Sequence, residues 1–384
     1  MVCGKANFTN LSRYGDYSEK TYRRQYQESF DFMRLNAETI AEAIPSFRQQ
    51  ISAIDCSYIP KSGKATWGVD SFYNGSSGKS EKGLEISVIS IVDIDAGQGY
   101  TLSVQQTPFT DRTLLAEVNP KLPKAEALVS QRVEAYLEHL KKTRPFFPIT
   151  VKYLAADSFY SKKTVVDGVV ELGLHLVSKL RIDANLRYLY DGVQKARGAP
   201  RKYDGKVDLD DLSRLDYVTE VSEGVSLYSQ VVWHVSLKRK IRVVYLVNTS
   251  NPKKTLTALL FSTDINLDAE ILYAYYKARF QIEFIFRDAK QFTGLCDCQS
   301  RDKSSLDFHF NASLTALNIA KYDQLGVQTE DDAEPISFSM ATYKRQAFNQ
   351  HLLERFISML DLDLTSIKSH PNYQSLLQYG SLTP

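Results

Sequence analysis

Cysteine is scarce in this chain: Cys3, Cys56, Cys296 and Cys298 are the whole complement in 384 residues. Four thiols cannot staple a chain of this length, so disulfide-framed secreted folds are excluded and a reducing, cytoplasmic compartment is expected. Long hydrophobic runs are missing too. No stretch approaches the ~20 apolar residues of a membrane-crossing helix, and the first thirty residues are polar and charged, unlike a signal peptide. Excess charge of one sign is also lacking. Lys and Arg total 47 against 45 Asp and Glu, a net charge of +2, so any polyanionic partner must be met by local clusters. The six histidines (His139, His175, His234, His309, His351 and His370) are scattered, with no nucleophile–base pairing in view. A Ser-His-Asp hydrolase therefore finds no support. No internal repeat or low-complexity tract is present.

What the chain does have is length for two or three folding units and an ordinary balance of 43% apolar and 24% charged residues. Residues 1–48 read as a helical, basic region. Ser18 is placed to cap a helix that carries Tyr22-Arg23-Arg24, and a turn at Tyr14-Gly15-Asp16 precedes it, as in part of a DNA-binding helix-turn-helix. A solvated helical leader is the alternative.

Residues 49–180 change period. Ile51 to Ser57 reads as a strand carrying Asp55, and Pro60 to Gly83 is a loop rich in Gly, Ser and Lys. Leu84–Ile94 (LEISVISIVDI) and Tyr100–Gln106 form a hairpin around Asp95 to Gly99. A helix over 123–142, with Ala127, Leu128, Val133 and Leu137 inward, leads to a strand over Phe147–Ala156 that ends on Asp157. A helix over 161–172 and a strand over 174–180 complete a mixed sheet of five strands flanked by helices. Residues 181–262 read as an inserted antiparallel β subdomain, with a basic, loop-like stretch from Tyr188 to Lys206. Residues 263–325 return to helices, and 326–384 form a helical C-terminal region.

One stretch stands apart. Leu272–Lys290, LYAYYKARFQIEFIFRDAK, has no Gly or Pro and is expected to form one helix. At about 100° per residue, Tyr276, Arg279, Glu283, Arg287 and Lys290 share an arc of roughly 80°, flanked by Phe280, Ile282, Phe284, Ile285 and Phe286. Bulk on both sides of a charged stripe implies burial, and that desolvation needs a partner. Either the stripe is a structural ion-pair network or it faces a charged ligand. Asp55 and Asp157 at strand ends and Glu283 on the helix supply three hard oxygen donors, the ligand type of Mg²⁺ or Mn²⁺. Two such ions about 4 Å apart serve phosphodiester chemistry.

Tyr276-x2-Arg279-x3-Glu283-x6-Lys290 resembles the Tyr-Arg-Glu-Lys signature of one large branch of bacterial insertion-sequence transposases, the DDE transposases with an RNase H-like core. IDCSYIPKSGK around Asp55 and AADSFYSKK around Asp157 are similar to the family's two aspartate motifs. The 126 residues between Asp157 and Glu283 suit members with a β insertion before the glutamate. The resemblance implies Asp55, Asp157 and Glu283 as catalytic, metal-holding carboxylates with two Mg²⁺ ions, Mn²⁺ being a substitute. It implies Tyr276, Arg279, Lys290 and Arg287 as DNA contacts. The partners implied are terminal inverted repeats and target DNA, bound by a homodimer in a bacterial cytoplasm, at the nucleoid. In relatives an aromatic side chain of the insertion holds a flipped base. Trp233 is the candidate here, with a core tryptophan as the alternative.

Two weaker signals remain. Cys296-x-Cys298 with His309 makes three potential zinc ligands and no second pair. Asp70, Glu85, Asp93 and Asp95 are further carboxylates near the first strands, the last two explained by a hairpin tip.

Overall fold

The β-branched run that begins at Leu84 has apolar or small residues on both of its alternating faces, which suits a strand covered from both sides. In the computed structural model it belongs to β3 (Lys79–Asp93), buried without interruption from Gly83 to Asp93. The structure describes residues 4–108, 124–251, 253–326 and 338–381, with nothing said of the side chains of 124–128. The expected inward positions Ala127 and Leu128 therefore lie outside the described residues.

The five expected strands are all present and adjacent. β1 (Gln50–Pro60) pairs antiparallel with β3, and β3 pairs with β4 (Gln98–Gln106). On its other side β1 runs parallel to β5 (Tyr153–Ala156), which runs parallel to β6 (His175–Leu180). β2 (Asp70–Asn74) adds to the outer part of β3. The β3–β4 turn passes through Gly97, whose φ of 60° lies in the left-handed region that glycine enters without penalty.

The sheet does not stop at five strands. β12 (Leu256–Ser262) pairs antiparallel with β6, β11 (Arg239–Asn248) with β12, and β10 (Val225–His234) with β11. β7 (Leu186–Leu189) and β9 (Asp216–Ser222) both pair with β10, and β8 (Tyr203–Lys206) pairs with β7, giving twelve strands in one sheet. Residues 181–262 thus continue the core sheet, and the stretch expected as loop from Tyr188 to Lys206 begins and ends in strand. The reason is in the side chains. Val243, Leu259 and Phe261 join the core on one face, while Val244 and Leu260 join the core on the other. Strands that are apolar on both faces need cover from both helical layers.

One layer holds α3 (Phe32–Ala43), α4 (Lys124–Thr143) and α5 (Lys163–Glu171), through Ile40, Val133, Tyr136, Leu140, Val165 and Val169. The opposite layer holds α6 (Ala269–Ala278), α7 (Gln281–Asp288) and α8 (Lys303–Leu325), through Leu272, Tyr275, Ile282, Ile285 and Phe310. At the N-terminus α1 (Phe8–Tyr14) and α2 (Glu19–Gln25) flank the expected turn, and Ser18 Oγ accepts from Thr21 N as the cap of α2. α9 (Met340–Met359), α10 (Leu364–Lys368) and α11 (Pro371–Leu377) form the C-terminal region. Among the described residues no helix is long and apolar enough to cross a membrane.

Candidate active site

The sheet register brings the two aspartates together. Ala53 of β1 stands opposite Ala155 of β5 and Ile54 opposite Ala156, so Asp55 and Asp157 occupy the next position of two parallel, hydrogen-bonded strands. Each is fixed locally. Asp55 Oδ1 accepts from Cys56 N at 2.8 Å, and Asp157 Oδ1 accepts from Phe159 N at 2.9 Å as the cap of a short 3-10 turn, Ser158–Tyr160. Their second oxygens are left for the site.

The helix above them is not the single rod expected over 272–290. It breaks at Arg279-Phe280 into α6 and α7 and ends in a π turn, Ala289–Thr293. Across the break the backbone tightens. Phe280 N bonds Lys277 O, Ile282 N bonds Arg279 O and Glu283 N bonds Phe280 O, all one residue shorter than the α-helical bond. Arg279 and Glu283 lie at this joint. The guanidinium donates from Nη1 to Asp55 Oδ2 at 3.1 Å and from Nη2 to Glu283 Oε1 at 2.8 Å, so it bridges two of the three expected carboxylates. The Arg279 side chain is 10% exposed, and its Nε has no hydrogen-bond partner among the described residues. The π turn closes at Gly294, where φ is 77° and an added Cβ would lie 2.4 Å from Ala6 Cβ, so only glycine fits.

Burial pushes the Asp55 carboxyl up to about 7; the facing Asp157 adds to the rise, and Arg279 opposes it. Asp157 is raised as well, chiefly by burial. A metal-free folded chain thus binds more protons here than the unfolded chain between about pH 4 and 7, so stability falls as pH rises through that window. With metal removed, Asp55→Asn should abolish this local contribution. We expect the variant to gain roughly 2–4 kcal/mol over the wild type at pH 8 and little at pH 4, as read from denaturant unfolding in EDTA. Equal differences at both pH values would show that Asp55 carries no such strain.

Of the other expected DNA contacts, Tyr276 lies at the joint, while Arg287 and Lys290 lie farther along the helix. The half-buried Tyr276 ring lies 5.8 Å from the Arg279 guanidinium, Arg287 donates to Asp288 at 2.9 Å, and Lys290 stands exposed on the π turn. Trp233 is elsewhere. It sits on β10, five strands from β1, or about 24 Å across the sheet. Following the register through β5, β6, β12 and β11, Ser229 is level with Asp55. Trp233 is four residues beyond it, about 13 Å toward the opposite end. There its ring packs 5.7 Å from Tyr203. Phe280 and Phe284, by contrast, are 52% and 40% exposed next to Glu283, with ring centroids 6.1 Å apart. The helical wheel places both in the apolar bulk beside the stripe; it cannot tell a covered aromatic from an open one. Lys162 was also missed as a site residue. Its charge acts on Asp157, and its ammonium stacks 3.4 Å from the Phe159 ring. The repeated lysine of SFYSKK was the available signal.

The zinc reading of Cys296, Cys298 and His309 has no geometric counterpart. His309 Nε2 pairs with Gly294 O at 2.8 Å, and no three His, Cys, Asp or Glu side chains among the described residues are grouped to hold an ion. Asp55, Asp157 and Glu283 are likewise not grouped to hold an ion, and Arg279 is bonded to Asp55 and Glu283. The donor set still fits a hard divalent cation. All three ligands are carboxylates, and Asp55 and Asp157 face each other, half-buried, with a repulsion that a cation would relieve.

Asp157 follows the end of β5 as expected, whereas Asp55 lies midway along β1 and not at its end, because β1 runs on to Pro60 in its pairing with β3. Two aspartates side by side in a mixed sheet under a helix carrying Glu283 are consistent with a metal-dependent, transposase-like nuclease. Residues 21–239 match the model of the DDE superfamily endonucleases, and the chain belongs to that family. The matched segment contains Asp55 and Asp157; Glu283 lies beyond it. No curated protein matches the chain. The mixed α/β architecture is consistent with the RNase H-like fold of DDE enzymes.

Proposed function

We propose that this chain is a DNA transposase of the insertion-sequence type, cutting at terminal inverted repeats and joining the freed 3′-hydroxyl to target DNA. The observation that carries the reading is the Asp55–Asp157 pair on parallel strands, facing a helix joint where Arg279 reaches Asp55 and Glu283. Asp55, Asp157 and Glu283 would hold the divalent ions, Mg²⁺ or Mn²⁺, two to a site. Bound there, such ions supply activation of the attacking oxygen and stabilisation of the leaving oxygen.

The remaining work falls to the chain's own side chains. Arg279, with one donor unsatisfied, is placed to leave the carboxylates and grip a substrate phosphate bidentately. Lys290, Arg287 and Tyr276 extend that grip along the same stripe, and Lys162 adds a cation on the Asp157 side. Phe280 and Phe284 offer exposed rings on which an unpaired base can stack, a contact worth about 1–3 kcal/mol. They take the role first given to Trp233. A homodimer on paired ends and a bacterial cytoplasmic setting belong to the same reading.

The test is a labelled duplex carrying the terminal repeat of the protein's own genomic locus, incubated with Mg²⁺ or with EDTA. We expect metal-dependent cutting at the element boundary and joining to a second duplex, both absent in Asp157→Ala. Cutting without joining at any boundary would favour a general nuclease on the same core. Binding without cutting would make the chain an inactive DNA-binding derivative.

A further inference from the structure

Beyond the end of β1 lies a cavity of about 600 Å³ walled by two segments far apart in sequence. One is the turn after β1, with Lys61, Ser62 and Thr66; the other is the loop before α8, with Cys298 and Arg301; Lys82 closes it from β3. The walls are tied together. Trp67 N donates to Arg301 O at 2.9 Å, and Lys61 Nζ donates to the Cys298 carbonyl. Three cations and three hydroxyls, the third from Tyr58, therefore line the cavity, and no carboxylate does. Among the described residues Lys61, Lys82 and Arg301 form no ion pair. Lys61 is half-buried, and burial, together with the charge of Arg301, makes its ammonium harder to keep. Cations gathered without counter-charge repel one another until an anion arrives.

Position decides which anion. Asp55 lies midway along β1 and Lys61 just past its end, six residues on, so the two are about 20 Å from one another. A duplex advances 3.4 Å per base pair, so 20 Å is about six base pairs.

We propose that the Lys61–Lys82–Arg301 cavity is a second DNA-phosphate site, which grips the backbone about six base pairs from the bond that is cut. It rests on the reading of this chain as a DNA-cutting enzyme, and it is independent of bound metal. The site positions the duplex without reading sequence, since phosphates carry none.

The experiment is fluorescence anisotropy with a labelled duplex of arbitrary sequence, about 40 base pairs long, titrated in EDTA over a range of salt. Lys61→Gln, Lys82→Gln and Arg301→Gln are combined; the Trp67–Arg301 bond uses only backbone atoms and survives. The slope of log affinity against log salt should fall by about two to three, at ~0.9 per phosphate lost, while the melting temperature is kept. Should the triple variant unfold, Lys82→Gln with Arg301→Gln, both exposed, should still lower the slope by about one to two. A folded variant with an unchanged slope, beside a wild type that binds, overturns the phosphate site alone. A wild type that shows no salt-dependent binding overturns the DNA reading and the site with it.

Discussion

Glu283→Gln should lower DNA cleavage by at least about a thousandfold and leave DNA affinity within about twofold, measured in Mg²⁺ on one duplex. The change removes one negative charge and keeps the shape of the side chain. Glu283 sits 40% exposed at the helix joint, bonded to Arg279, so the fold has little reason to notice. An amide oxygen is a poor ligand for a hard divalent ion, whereas the amide still accepts a hydrogen bond from Arg279. Binding, by contrast, is carried by cations that the substitution leaves in place. Loss of affinity in step with cleavage, with the fold intact, would assign Glu283 to holding Arg279 rather than to metal.

Arg279→Ala should have the largest effect on stability, and its size should depend on metal. In EDTA the variant leaves Asp55 and Glu283 without the cation that bonds both, while Asp157 faces Asp55. Removing one partner of a buried charge network costs about 3–5 kcal/mol. Half the network is open to water through Glu283, so the lower end of that range is expected. Addition of Mg²⁺ should restore more stability to the variant than to the wild type, because the ion meets carboxylates no longer engaged by a guanidinium. At a hundred times its dissociation constant the gain is about 2.7 kcal/mol. Arg279→Lys should fall between, since one ammonium cannot match the two-armed contact. Denaturant unfolding with and without Mg²⁺ reads all of this directly. A variant as stable as the wild type in EDTA would mean that Arg279 does not compensate the carboxylates.

Much of the fold is written in local periods. The alternation in LEISVISIVDI, the Asp95–Gly99 turn and the capping Ser18 are decided within a few residues, and all three appear in the structure. The helix over 272–290 shows where that reading ends. Nothing in its composition marks Arg279-Phe280 as a joint; the break follows from how α6 packs on one part of the sheet and α7 on another. The twelve-stranded sheet is a similar case. Antiparallel hairpins were legible in residues 181–262, but their attachment to β6 depends on hydrogen bonds between strands about 80 residues apart.

The site divides in the same way. The sequence alone determined which side chains could do the chemistry: two strand aspartates, and a helical stripe with Glu283 among cations, spaced so that one face must carry them. It could not say that Asp55 and Asp157 sit at neighbouring positions of parallel strands, that Arg279 bridges Asp55 to Glu283, or that Trp233 stands at the far end of the sheet. A side chain's face follows from its own strand or helix, over a few ångströms. Its neighbours follow from register across a whole sheet, and that is set by the burial of both faces at once.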